Sequence, residues 1–216
     1  METQDQRKTQ MLTLYYAPHS RATRAYQLLD ELGALDQVRI ETVKIARMDG
    51  SGGADPRNPH PEGKVPVLVH DGVEIWESAA IFLYLTDLFP TAKLGPLPGD
   101  RLRGRYLSWL VWYAGVMEPV MHFKMMGIDN PGLRRSFRSY DEASARLIAA
   151  LEAGPWLVGE SYTAADLLIG STFGWMESMT PDNAAVRDWV ERCKARPAVA
   201  RTAEFERKQI AAHQVG

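Results

Sequence analysis

The stretch PTAKLGPLPGD at positions 90–100 constrains the fold more than any other feature, because the patterning on its two sides differs. Its three prolines and two glycines disfavour a helix or strand interior, so it reads as a linker. Before it, strand and helix patterns alternate. MLTLYY (11–16) reads as a strand, and Ala22, Ala25, Leu28, Leu29 and Leu32 fall at helical spacing before Gly33 supplies a stop. VRIETVKI (38–45) predicts a second strand, with a phase slip between Ile40 and Val43 that a bulge or twist would explain. VPVLVH and VEIW flank Asp71-Gly72, a two-residue hairpin signal, and ESAAIFLYLTDLF (77–89) is helical up to Pro90. After the linker every segment has helical spacing. The expected helices are 101–126 with a kink at Glu118-Pro119, then 131–152, 163–178, 183–195 and 197–210. The expectation is an α+β chain of two domains. The first, over 11–90, has the order βαβ-ββα, and the second, over 100–212, is an all-α helical bundle.

The 216 residues suffice for two small cores, and 45% apolar with 24% charged residues is ordinary for a folded protein. With a formal net charge of -2 and scattered basic residues, nothing draws the chain to nucleic acid or to an anionic membrane. The single cysteine, Cys193, excludes an internal disulfide, a CxxC redox motif and a cysteine-based zinc site. The histidines (His19, His60, His70, His122, His213) show no HxxxH or HExxH spacing, so no metal is expected. METQDQRKTQ lacks the apolar core of a signal peptide, no apolar run is long enough to span a bilayer, and a cytoplasmic location is the expectation.

Two places in the first half carry chemistry. Pro66 stands where a strand should be paired. It is either a trans proline on an edge or the second residue of a cis Val65-Pro66 bond that turns the Val65 N–H and C=O towards a ligand. Glu77-Ser78 follows a strand and opens a helix, whose unpaired N–H groups favour a carboxylate. Ser78 adds a hydroxyl and Glu77 an acid for an amine, so the corner suits an amino-acid-like ligand; it also suits a simple N-cap.

Taken together, GKVPVL (63–68), the D-G hairpin, ESAAIFLYL (77–85) and the helical half resemble the cytosolic glutathione transferase family, from about Met11 to about Ala211. GESYTAADLLIG (159–170) is similar to that family's buried capping segment, with Thr163 and Asp166 at capping-box spacing and Tyr162 and Leu167 placed as a hydrophobic staple. The resemblance implies a thioredoxin-like first domain that binds glutathione as co-substrate, a helical domain that holds an apolar electrophile, and a homodimer. It implies a cis Pro66, Val65 pairing with the cysteinyl part, Glu77 and Ser78 at the γ-glutamyl end, and Lys64 and His60 within reach of a carboxylate. A solvent-exposed role suits Lys64 equally.

Such a site must ionise a thiol whose ordinary pKa is about 8.5, and lowering that by about two units is worth roughly 2.7 kcal/mol. The join YYAPHSRATR (15–24) passes from a strand to a helix start, where the helix dipole favours an anion. By resemblance Ser20 opens an S-R-x-x-R pattern and faces the sulfur; as an isolated residue it is an N-cap. Tyr15 is the rival hydroxyl, and Tyr15 and Tyr16 must point to opposite faces. Arg21 stands where one bacterial class has cysteine, and it offers a fixed positive charge or a surface ion pair. ARMDGSGGADPRNPHPEG (46–63) departs from the family and predicts a long irregular loop beside the site, placed to act as a lid.

On helix 101–126, Tyr106, Trp109, Tyr113 and Met117 share one broad face, which is either core or a second-substrate pocket; Phe173 and Trp175 are further candidates. The expected activity is conjugation of glutathione thiolate to an apolar electrophile. The alternatives are a non-catalytic binding or interaction protein of the same fold and a glutathione-dependent peroxidase.

Overall fold

A computed structural model describes residues 12–214. The polar N-terminal decapeptide and Met11, the expected first strand residue, lie outside the described residues. Strand β1 (Leu12–Tyr16) alternates, with Leu12, Leu14 and Tyr16 buried and Thr13 and Tyr15 half-buried on the other face. Helix α1 (Ala22–Glu31) follows, then a short 3-10 turn and β2 (Val38–Thr42). β3 (Val67–His70) and β4 (Val73–Ile75) form the hairpin, and α2 (Ser78–Leu88) closes the unit. The four-stranded sheet has the order β2-β1-β3-β4, with β2 parallel to β1 and β3 antiparallel to both β1 and β4. This is a thioredoxin-like arrangement followed by a helical part, the expected fold class. At the hairpin, Asp71 and Gly72 both take positive φ, 50° and 82°, as a tight two-residue turn requires.

β2 stops earlier than its apolar pattern predicts. After Thr42 the Val43 N–H still reaches Tyr16 O at 2.9 Å, but the Lys44 N–H goes to the Asp55 carboxylate instead of a strand partner. The phase slip thus marks a strand end. The loop 46–63 is irregular as expected and internally tied. Arg57 binds Asp55 and Glu41, and Asn58 bridges the Lys64 carbonyl and the His60 N–H.

Beyond Asp100 the regular structure is helical. The expected helix 101–126 is three pieces: α3 (Arg103–Trp112), a π turn at Tyr113–Met117, and α4 (Glu118–Met125). Pro119 sits in the first turn of α4, where its missing N–H costs nothing, and the register changes in the π turn before it. The expected helix 131–152 is also divided, into α5 (Pro131–Ser136) and α6 (Tyr140–Glu152). Asn130 caps α5, and Ser139 and Glu142 form a capping box on α6. α7 (Ala164–Trp175), α8 (Ala184–Lys194) and α9 (Pro197–Gln214) complete the chain.

One apolar cluster joins the two halves. Leu14, Leu28, Ile81, Phe82 and Leu85 pack in the same cluster as Tyr106, Leu110, Leu167 and Ile169. Each fully buried large apolar side chain contributes about 1.5–3 kcal/mol, so this shared core holds the helical part against α1 and α2. No described helix is long and apolar enough to cross a membrane.

Candidate functional site

At the junction of the sheet and the helical part, a cleft of about 260 Å³ gathers residues from five segments. The β1–α1 join supplies Arg21, the long loop supplies His60 and Glu62, and the run into β3 supplies Lys64, Val65 and Pro66. The start of α2 supplies Glu77, Ser78 and Ala79, and the π turn with α4 supplies Tyr113, Ala114 and Glu118.

Local physics places each of these groups. The Val65-Pro66 bond is cis, and Val65 lies just before the paired residues of β3, which begin at Val67. Glu77 holds φ 66° and ψ 124°, a strained conformation for a non-glycine residue, immediately before α2. The first N–H groups of that helix, with their partial positive charge, therefore meet the Ser78 hydroxyl and the Glu77 carboxylate at one corner. Neither side chain, nor the Lys64 ammonium, has a protein hydrogen bond or ion pair among the described residues. His60 accepts the Glu62 N–H on Nδ1 at 3.0 Å, which leaves Nε2 as the ring nitrogen with no hydrogen bond among the described residues. The cleft thus offers cationic and donor groups at Lys64 and His60 and a paired acid and donor corner at Glu77–Ser78.

Arg21 lines the same cleft. Its Nε donates to Glu118 Oε1 at 2.6 Å, and the half-exposed guanidinium keeps its other nitrogens free of protein partners among the described residues. Behind it runs a buried chain of hydrogen bonds. Tyr113 Oη donates to Glu118 Oε1 at 3.0 Å while receiving bonds from Arg24 Nη1 at 2.5 Å and Thr172 Oγ1 at 3.1 Å. Burial disfavours charge on both Arg21 and Glu118, but their mutual attraction outweighs it. The Arg21 pKa is raised and that of Glu118 lowered, so both stay ionised.

The other two candidate residues of the join lie elsewhere. The Ser20 hydroxyl donates to Ala17 O at 2.6 Å and accepts from Ala22 N at 3.1 Å, so it is buried within its own turn. Tyr15 faces away from Tyr16, as strand alternation requires, and packs on a small cluster that includes Val65 without bordering the cleft. Tyr16 Oη, the His19 N–H and Thr23 Oγ1 all donate to Glu206 Oε1, at 3.0, 2.7 and 2.6 Å. The anion-binding capacity of the join, read from its sequence, is thus occupied on one side by a carboxylate of the protein's own α9.

Of the aromatic stripe, only Tyr113 borders the cleft. Tyr106 is fully buried with its hydroxyl 3.0 Å from Thr86 Oγ1, Trp109 packs edge-on to Trp112, and Met117 is core. Sequence reasoning did not single out Glu118, Glu62, Arg24 or Glu206. The Arg21–Arg24 spacing was a usable signal, since it puts both guanidiniums on one side of α1. Glu118 and Glu206 reach the site from distant helices and leave no local trace. Among the described residues no group of three or more His, Cys, Asp or Glu side chains is placed to hold a metal.

Comparison with known proteins bears on this geometry. Residues 10–87 match the family model described as the glutathione S-transferase N-terminal domain. An uncharacterized GST-like protein from Streptococcus mutans is 30% identical, over 84% of this chain and 76% of its own length. The disulfide-bond oxidoreductase YfcG of Escherichia coli is 28% identical over 87% of this chain and 92% of its own. Among solved structures, a glutathione transferase from Methylococcus capsulatus superposes with a TM-score of 0.67 at 29% identity, covering 91% of this chain and 98% of that one.

Proposed function

The chain belongs to the cytosolic glutathione transferase family, and on that premise we propose that its cleft binds glutathione, ionises the thiol and delivers the thiolate to an apolar electrophile. The observation that carries this reading is the complementarity of the groups that line the cleft. Glutathione has an ammonium and a carboxylate at its γ-glutamyl end and a second carboxylate at its glycyl end. Glu77 suits the ammonium, Ser78 and the α2 N-terminus suit the adjacent carboxylate, and Lys64 with His60 suits the glycyl carboxylate. Val65 is the main-chain partner proposed for the cysteinyl unit between them.

We assign thiolate stabilisation to Arg21, the one member of the set Ser20, Tyr15 and Arg21 that borders the cleft. Its charge favours S⁻ over SH, and the Glu118 bond fixes the guanidinium without using up its Nη donors. Ser20 shapes the turn that presents Arg21. The thiol proton passes to solvent, the sulfur lone pair forms the new C–S bond, and the leaving group departs with its electron pair. The electrophile would lie over Tyr113 and Ala114, the helical-part residues at the cleft, rather than along the buried Tyr106, Trp109 and Met117.

A pH–rate profile with glutathione and 1-chloro-2,4-dinitrobenzene tests the assignment. Arg21→Ala is expected to move the acid limb of the profile upward and to lower the rate at neutral pH at least tenfold. An unmoved profile in Arg21→Ala, with a shift in Ser20→Ala or Tyr15→Phe, would overturn it. A second reading, glutathione-dependent disulfide exchange, is favoured by the similarity to a disulfide-bond oxidoreductase. Here the attacking sulfur would be glutathione's own, because Cys193 is buried in α8. Turnover of a disulfide with no reaction at the aryl halide would select this reading. A homodimer is part of the proposal, supported by exposed Val73, Trp76 and Val111; light scattering on the purified chain tests it.

A further inference from the structure

The turn that presents Arg21 is held in place by residues outside it. We propose that Glu206, on α9, is a positioning residue for Arg21: it holds the Pro18–His19 turn in a backbone conformation that the turn would otherwise leave. The inference rests on the proposed glutathione site and adds to it a residue from the last helix.

His19 has φ 53°, in the left-handed region that a non-glycine residue keeps only when its surroundings fix it. The bonds that fix it lie on both edges of the turn. On one edge the His19 N–H donates to Glu206 Oε1 at 2.7 Å. Tyr16 Oη and Thr23 Oγ1 donate to the same oxygen from the two sides of the turn. On the other edge Arg47, from the loop 46–63, donates to Pro18 O at 2.8 Å and to His19 O at 3.3 Å. Glu206 thus ties the end of β1, the turn and the first turn of α1 to one carboxylate oxygen. Its side chain is only 14% exposed, so withdrawing it leaves three donors with little water to replace it.

Arg21 comes two residues after His19, and its Nε must reach Glu118 at 2.6 Å on another helix. A relaxed turn moves the base of the Arg21 side chain away from that partner. Misplacement of a reacting or stabilising group by about 1 Å costs a rate factor on the order of a hundred. The sign of the effect separates positioning from simple charge. Glu206 is negative, so as a bare charge beside the join it would disfavour a thiolate, and neutralising it would lower the thiol pKa. Acting through Arg21 it favours the thiolate, and loss of its hold raises that pKa.

Two readouts on the full chain test the proposal. One is the nuclear magnetic resonance signal of the Arg21 Nε–H, which needs no ligand and which the Glu118 bond protects from exchange with water. The other is the thiolate absorbance of bound glutathione as a function of pH. Glu206→Asp keeps the charge and withdraws the carboxylate by one methylene. It is expected to speed exchange of the Arg21 Nε–H severalfold and to raise the bound-thiol pKa by about half a unit. Adding His19→Gly should largely reverse both effects, because glycine takes the positive φ without being held there. Glu206→Gln keeps the reach and an acceptor oxygen but removes the charge, so the Arg21 signal should stay protected and the pKa should not rise. A lower melting temperature in Glu206→Asp with both readouts at their wild-type values would make Glu206 merely structural and overturn the proposal. A lowered thiol pKa in Glu206→Gln with no change in Glu206→Asp, or a double variant no better than Glu206→Asp, would overturn it as well. If the wild type binds no glutathione, the proposed function falls, and the Arg21 signal alone decides whether Glu206 positions that residue.

Discussion

Glu77 combines a strained backbone with a carboxylate that makes no hydrogen bond or ion pair among the described residues, so its two properties can be separated by substitution. Glu77→Gly relieves the positive φ and removes the acid. Stability should stay level or rise by up to about 1 kcal/mol, while glutathione affinity should fall at least tenfold. Urea unfolding and calorimetry on the same variant read the two effects, and parallel losses in both would contradict the separation. Glu118 supplies a pH dependence. Its pKa is depressed below the ordinary 4.5: burial pushes it up, and the guanidiniums of Arg21 and Arg24 outweigh that. A carboxylate with a lowered folded pKa contributes stability that is present above the unfolded value and lost as the pH falls through the folded one. Glu118→Gln should therefore flatten the stability profile below a pH of about 4.5. Wild-type curvature in the variant would sink the idea. Tyr113→Phe removes an acceptor from Arg24 and Thr172 and a donor to Glu118, and should cost about 1–3 kcal/mol by chemical denaturation.

At the scale of elements, the sequence was informative where a local rule decides the outcome. The Thr163/Asp166 capping box forms, with the Thr163 N–H reaching Asp166 Oδ2 at 2.9 Å. The same buried carboxylate also takes the Leu157 N–H and Trp189 Nε1, both at 3.0 Å, which no local pattern announces. Asp166→Ala would leave several buried donors unpaired and should destabilise the chain by about 3 kcal/mol or more in urea. A loss under about 1 kcal/mol would mean that the cap is dispensable. The end of β2 and the break at Phe137–Ser139 were blurred because apolar residues continue through both, while the hydrogen bonds that end the elements come from Asp55 and Glu142. The aromatic stripe on α3 was legible as a face and ambiguous in role. Packing against α2 and α7 decides that, and α7 lies far along the chain.

Across the whole molecule, α9 returns to clasp the first half. Glu206 holds the join, Phe205 stacks on Tyr26 at 3.9 Å, Arg201 pairs with Asp30 of α1, and Arg196, just before α9, pairs with Glu31. With the continuous apolar cluster, this predicts one cooperative unfolding transition for both halves rather than two. Noncoincident fluorescence and circular dichroism transitions would contradict that. The resemblance to glutathione transferases was visible in the KVP and ES motifs because a cis proline before β3 and a positive-φ residue opening α2 are backbone features set by short local sequence. The support behind Arg21 was not, since it comes from the helical half. The central claim, that this cleft binds glutathione and ionises it, is tested most directly by calorimetric titration of glutathione at several pH values. Saturable binding with proton release near neutral pH is the expected result. An absence of binding at millimolar glutathione would contradict it.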